Sequence, residues 1–434
     1  MESVYVLICL GMAALGIKTE KKIFNPVTVM CGLWGVIIGL SSLHLYRLYI
    51  PDIKTYNCIM LGIAMFFAGY YFLRITLGGK IVVLKKSSEN KIRYNYELNY
   101  KLMYAILLFC IPFLAKDFFV IVTRLGFGSD LHEIQKLLQQ NENVFTRSSI
   151  ESFLRVFIVN PVIWIFVPIT VVDFWVGKRD KLLIVLSSII ILLKVFSTGG
   201  RASFIQFAFF FVCVFFLANN NKSKTITTRF KNRSKRDKFV FVGVGALVVV
   251  VLVMLTFSRA GQNAIKTIYY DFAMQPIMLK KWTKIASTSR PGMGVASLNG
   301  FLTPIDYVLR NTVHLSLPDL YQTTYKMIMD TDTEWQWIGN GVSANAYVSA
   351  FWFFYVDGRL LGVALGSFIY GAFNRAVYNR TRLFFTQKSI AFYCMILVGV
   401  FYTFGRFEFA QDSYVLGVIY LCTILYKKKS PLTL

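Results

Sequence analysis

Three arginines stand where an apolar chain has least use for them. "LLKVFSTGGRASFIQF" (192–207) sets Arg201 directly after a Ser-Thr-Gly-Gly turn, between two apolar runs. "LTFSRAGQ" closes an apolar run at Arg259, and "YTFGRFEFAQD" holds Arg406 in a second tight turn. A guanidinium stays charged at any ordinary pH and offers a two-pronged fork that matches phosphate oxygens. A Gly-Gly turn lets a ligand come close to the backbone. Brought together, these three arginines would clamp an anion beside the lipid phase. The plainer reading is snorkelling to phospholipid heads, or pairing with Glu408 and Asp412.

A second constellation lies in "IDYVLRNTVH", where Asp306, Arg310 and His314 recur every four residues. On a helix all three share one face. They then make either an ordinary ion pair with a terminal histidine, or an acid, a cation and a titratable base aimed into a site. Arg290 lies upstream in the same loop 258–345 as Arg310, while Arg74, Lys116-Asp117, Asp173, Lys194 and Asp357 fall inside apolar runs. Intramembrane charge is costly and marks a functional candidate by default. The chain has no GxxxxGK[ST] loop, no CxxC and no HExxH, so neither nucleotide hydrolysis nor zinc chemistry has support, and no metal or cofactor is expected. All seven cysteines fall in or beside apolar segments, as packing residues would.

What positions these residues is a membrane bundle. Of the 434 residues, 56% are hydrophobic and 16% charged, against about 25% charged in soluble domains. Eleven apolar segments follow one another: 2–17, 27–45, 57–77, 102–124, 155–176, 182–197, 202–218, 239–257, 346–373, 388–405 and 408–426. The expected fold is an all-α polytopic integral membrane protein of about 11 transmembrane helices with one large, partly helical external loop. It divides into an N-terminal bundle of about eight helices over 1–257, the loop 258–345, and C-terminal helices over 346–434. The pairs 182–218 and 388–426 are short and tightly turned, so each reads either as two spans or as a re-entrant hairpin.

Charge sets the orientation. The connections 18–25, 80–101, 177–181, 219–238, 374–388 and 427–434 carry 27 of the 47 Lys and Arg in 78 residues; the alternate set carries 14 in 135. Positive charge is retained inside, which puts the N-terminus outside, the C-terminus in the cytoplasm and Arg201 at the outer face. The net charge of +25 is accounted for in this way without nucleic acid. The first apolar run has no basic stretch before it, so no cleavable signal peptide is expected.

With Arg201 in "STGGRASFIQF", a long external loop, and then "IGNGVSANAYVSAFWFFYVDGRLLGVALGSFIYGAFN" (338–374), the chain resembles the Wzy-type oligosaccharide repeat-unit polymerases. The likeness lies in the [ST]GGR-like turn and in Tyr355, Asp357, Gly358 and Gly362 of "YVDGRLLG"; many relatives have phenylalanine where Gly358 stands. It is carried by about 190–260 and 335–375, and elsewhere by hydropathy alone. The resemblance implies a glycosyltransferase of the bacterial plasma (inner) membrane, serving O-antigen, capsule or related polysaccharide. It would move a growing glycan from undecaprenyl diphosphate onto a new lipid-linked repeat unit. Donor and acceptor are then undecaprenyl-diphosphate-linked oligosaccharides, with a chain-length regulator and a flippase of the same pathway as candidate partners. Arg201 and Arg259 are expected to hold the donor diphosphate, with Arg290, Arg310 or Arg406 as a third ligand. His314, tuned by Asp306, is the expected general base, and Asn345, Tyr355 and Asp357 shape the cavity. The rival readings are an O-antigen ligase and a flippase or transporter of lipid-linked oligosaccharide.

Overall fold

The computed structural model describes residues 2–88, 96–126, 133–134, 137–138, 144–200, 202–219, 242–243, 245–246, 250, 253–254 and 264–428. The eighth apolar segment, 239–257, therefore lies largely outside the described residues, as do Arg201 and Arg259.

The chain is an all-α membrane bundle. Its long helices are α1 (Glu2–Glu20), α2 (Pro26–Ser42), α3 (Ile53–Ser88), α4 (Tyr100–Leu125), α5 (Ser149–Val176), α6 (Lys181–Thr198) and α7 (Ala202–Asn219). After a cap, α12 (Ser349–Leu383), α13 (Gln387–Phe401) and α14 (Asp412–Thr423) complete the bundle. Among the described residues seven helices are long and apolar enough to cross a membrane, and α2, α7 and α14 are shorter apolar helices.

Local chemistry sets the helix ends. Asn25 accepts from the Thr28 amide at 2.9 Å with Pro26 in the first helical turn, Asp180 accepts from Leu183 at 2.7 Å, and Thr386 and Ser389 form a reciprocal capping box. At the other end of α6, Gly199 takes φ 61° and donates to Val195 O at 2.8 Å, so the turn ahead of Arg201 closes through a left-handed glycine.

The tightest packing joins α3 to α12. A Cβ on Gly69 would lie 2.0 Å from Phe368 O, and one on Gly371 would lie 2.0 Å from Phe66 O. These reciprocal glycines let two backbones touch where bulkier residues could not, which is how membrane helices associate without a hydrophobic drive.

Non-local contacts sort the connections onto two ends. At one end Tyr269 Oη donates to Leu40 O (3.0 Å), Tyr49 N to Ile338 O (2.9 Å) and Val348 N to Gly405 O (3.0 Å). At the other, β1 (Tyr96–Leu98) pairs antiparallel with β4 (Tyr426–Lys428), and Glu20 meets Arg375 and Arg382. These contacts set 46–56 and 258–345 apart from 18–25, 374–388 and the C-terminal strand.

The loop 258–345 folds as a cap on the first end. Its described part holds α8 (Ala264–Ala273), α9 (Gln275–Ser287), α10 (Val295–Thr312), α11 (Asp319–Thr333) and a hairpin of β2 (Gln336–Gly339) and β3 (Val342–Ala344). Trp352 of α12 donates its indole N–H to Trp282 O of α9 at 3.1 Å, which ties the cap to the bundle.

The C-terminal hairpin has one short arm. At 12 residues, α14 is about 18 Å long, well short of the roughly 30 Å of hydrocarbon. The residues before it, 402–411, form a buried turn of two 3₁₀ segments with Thr403, Phe404, Phe407, Glu408 and Ala410 inside. Helix α10 lies across this turn, where a Cβ on Gly300 would sit 2.5 Å from Phe409 O, and Asn299 donates to Ala410 O at 2.9 Å.

Candidate functional site

Arg406 and Asn345 lie in one neighbourhood by the cap, and Tyr355 and Asp357 in another. The first surrounds the C-terminal turn. Arg406 forms a two-pronged pair with Asp332 at the end of α11, its Nη1 lying 3.3 Å from Oδ2. Asn345 donates to Asp332 O at 2.7 Å, and Val348 and Ser349 both donate to Gly405 O at 3.0 Å. The β3–α12 connection therefore clamps α11 to the turn, with Asn345 as a strut. Arg406 pairs with Asp332 and not with Glu408 or Asp412, and its charge is already met.

Glu408 sits in the same connection, outside both helices. Burial pushes its carboxyl up to about 7, against the pull of the Arg406 guanidinium, and its Oε2 has no hydrogen-bond partner. A titratable acid held near neutrality beside a cation is the arrangement that functional sites favour. The clue in the sequence was one acid next to Arg406 in an otherwise apolar turn.

The second neighbourhood surrounds a kink in α12. At Arg359 the backbone takes φ 56° and ψ −141°, a region that costs a non-glycine residue roughly 1–3 kcal/mol. The kink turns the guanidinium over Tyr355, 5.5 Å from the ring centre, and onto the carbonyl of Ser289. Arg290, exposed, follows Ser289 in the same α9–α10 connection. Arg359 was overlooked in the sequence reading; the signal was a basic residue beside Gly358 within an apolar run.

Asp357 holds the start of α10. Its carboxylate accepts from the Ala296 amide at 2.8 Å, the Ser297 amide at 2.9 Å and Ser297 Oγ at 2.5 Å. Those are free N–H groups of the first turn of α10, so Asp357 is a helix cap supplied from another helix. Tyr355 stacks on Arg359 at the other side of the kink.

The four-residue constellation is corrected by the end of α10. Asp306 and Arg310 do share a face, and Arg310 Nε lies 2.8 Å from Asp306 Oδ2. The helix stops at Thr312, and His314 lies past it, exposed and at φ 56°. Asp306 Oδ1 is taken by the Leu317 amide at 2.9 Å and by Gln322 at 3.2 Å. Asp306 therefore braces the α10–α11 connection and Arg310 and does not orient His314. Of the arginine-clamp candidates, Arg310 and Arg406 each hold their own carboxylate.

A buried ionic cluster joins α4 and α5. Arg155 grips Asp117 at 2.7 and 2.8 Å and Glu151 at 3.0 Å, and Lys116 reaches Glu151 at 2.5 Å. A π-helical turn, Arg155–Val159, positions Arg155 within α5. Among the described residues no group of His, Cys, Asp and Glu could hold a metal ion.

Comparison of the chain with protein-family models, curated proteins and solved structures finds no match. The fold and the geometry of the cap therefore carry the functional argument, beside the motif resemblance.

Proposed function

We propose that this membrane protein is a polyprenyl-diphosphate-dependent glycosyltransferase that polymerises lipid-linked oligosaccharide repeat units at the outer face of a bacterial plasma membrane. The observation that carries this reading is the sharing of one bundle end by the cap and the turn into Arg201. That turn closes α6 through Gly199, and the cap brings Arg290 and Arg359 to the α9–α10 connection at the same end.

In this reaction an acceptor hydroxyl attacks the anomeric carbon of the donor sugar. The bond from that carbon to the diphosphate oxygen breaks, undecaprenyl diphosphate leaves with the electron pair, and the hydroxyl proton passes to a base. Charge develops on the leaving diphosphate, where preorganised cations lower the barrier most. Arg201 and Arg259 are assigned to that diphosphate, with Arg290 and Arg359 in place of the already paired Arg310 and Arg406. His314 keeps the role of base, because its exposed ring makes no hydrogen bond among the described residues. The N-terminus outside and the C-terminus inside follow from the basic connections.

The test is the state of the lipid carrier in cells lacking the chain. Single unpolymerised units exposed at the outer leaflet support a polymerase, whereas polymer stranded on the carrier supports a ligase. The cluster of Asp117, Glu151 and Arg155 inside the bundle favours one other reading, a transporter of lipid-linked sugars. Units trapped at the inner leaflet would support it and overturn the polymerase.

A further inference from the structure

At the end of the bundle away from the cap, one carboxylate faces four cations. Glu20, the last residue of α1, has its side chain fully covered. Arg375 Nη1 lies 2.6 Å from it, Arg382 Nη1 2.9 Å and Arg74 Nη1 3.6 Å. Lys22 lies close enough for both Glu20 and Arg382 to act on it; burial, reinforced by Arg382, pushes its ammonium down to about 8. The guanidiniums of Arg375, Arg74 and Arg382 lie over the rings of Tyr70, Tyr71 and Tyr378 at 5.0, 5.5 and 5.7 Å. Arg375 Nε is buried without a hydrogen-bond partner. Among the described residues one negative charge meets four positive ones, with Arg375 buried and Arg382 half exposed, so the described part of the cluster is short of anions.

A cavity of about 290 Å³ opens beside Lys22, between the α1–α2 connection and α7. Ile17, Ile23, Phe24, Phe216 and Leu217 give it apolar walls, and Lys21 and Lys22 are its polar members. Phe24 and Phe216 stack at 5.4 Å. Lys21 stands at φ 53°, so the chain turns sharply out of α1 to bring both lysines to the cavity. Charge on one side and hydrocarbon on the other match a molecule with the same division.

We infer that this is a binding site for an anionic phospholipid, its phosphodiester headgroup held by Lys22 and Arg382 and its acyl chain laid against Phe24, Phe216 and Leu217. Basic pockets between membrane helices hold anionic headgroups in this way. Inorganic phosphate is also an anion but has nothing to place against the apolar walls. The site stands apart from the proposed transfer chemistry and does not depend on it.

The experiment uses the full chain in detergent, titrated with phosphatidylglycerol, with phosphatidylcholine of the same chains, or with inorganic phosphate. Thermal unfolding and native mass spectrometry are the readouts. The expected result is a retained one-to-one phosphatidylglycerol adduct and a raised unfolding midpoint, with neither from phosphatidylcholine or phosphate. Lys22→Gln breaks no ion pair among the described residues, and it should weaken phosphatidylglycerol binding about fivefold, the worth of one basic residue at a lipid surface. Phe216→Ala should weaken it independently through the chain contact. Equal effects of the two lipids, an equal effect of phosphate alone, or unchanged binding in both variants would overturn the inference.

Discussion

Asp357 offers the sharpest test, because the resemblance and the geometry give it different work. Within "YVDGRLLG" it reads as a site residue, yet in the fold its oxygens hold the first turn of α10. Asp357→Ala removes the acceptor for two backbone amides and a serine hydroxyl. Loss of a helix cap costs roughly 1 kcal/mol. Loss of the anion from the positive helix end adds up to about 1 kcal/mol. One amide left buried without a partner adds about another 1 kcal/mol. The total is about 3 kcal/mol, and it falls on α10, the helix that covers the C-terminal turn. Asp357→Asn keeps an uncharged acceptor and should lose only about 1 kcal/mol. The assay is thermal unfolding of the purified variants beside turnover at equal amounts of folded protein. The cap account predicts that Asn restores most stability and most turnover. If Asp357→Asn unfolds like wild type but is as inactive as Asp357→Ala, the carboxylate acts in the chemistry and the cap account is wrong.

Other substitutions test other parts. Glu408 is raised from its ordinary 4.5 to about 7 in the fold. The folded state therefore holds its proton more tightly, and stability falls as pH rises from about 4.5 to about 7. Glu408→Gln should flatten that slope and stabilise the protein at pH 8 by up to about 3 kcal/mol; an unchanged pH profile of unfolding would refute the buried-acid reading. Gly69→Leu should abolish folding, since its Cβ would start 2.0 Å from a backbone oxygen of α12, and a normal yield of folded protein would contradict the helix contact. Arg201→Ala should slow polymerisation roughly 10²–10³-fold, as loss of a transition-state donor does, and a wild-type rate at matched protein level would remove it from the site. Wild-type product from His314→Ala would remove His314 as base.

The membrane bundle was legible because about 30 Å of hydrocarbon demands long apolar runs, and the two ends were legible because basic residues are sorted by side. Pairings across long stretches of chain were not legible. Arg406 finds Asp332 and Asp357 finds the start of α10 only once the cap has folded back over α12. The shortness of the 388–426 pair was legible, but the start of α14 was not, because the turn before it is as apolar as a span: Phe404, Phe407 and Phe409 pack inward. The β2–β3 hairpin did carry a signal, Asn340-Gly341, with Gly341 at φ 73°. His314 looked helical by spacing, but α10 ends at Thr312, before a fourth-residue step can reach it.

The most direct measurement is reconstitution. Purified protein in liposomes would receive lipid-diphosphate-linked repeat units alone, without nucleotide, and the products would be separated by length. The account predicts a ladder of lengthening glycans with release of undecaprenyl diphosphate, lost in Arg201→Ala. Folded protein that binds the substrate and yields only single units would contradict it.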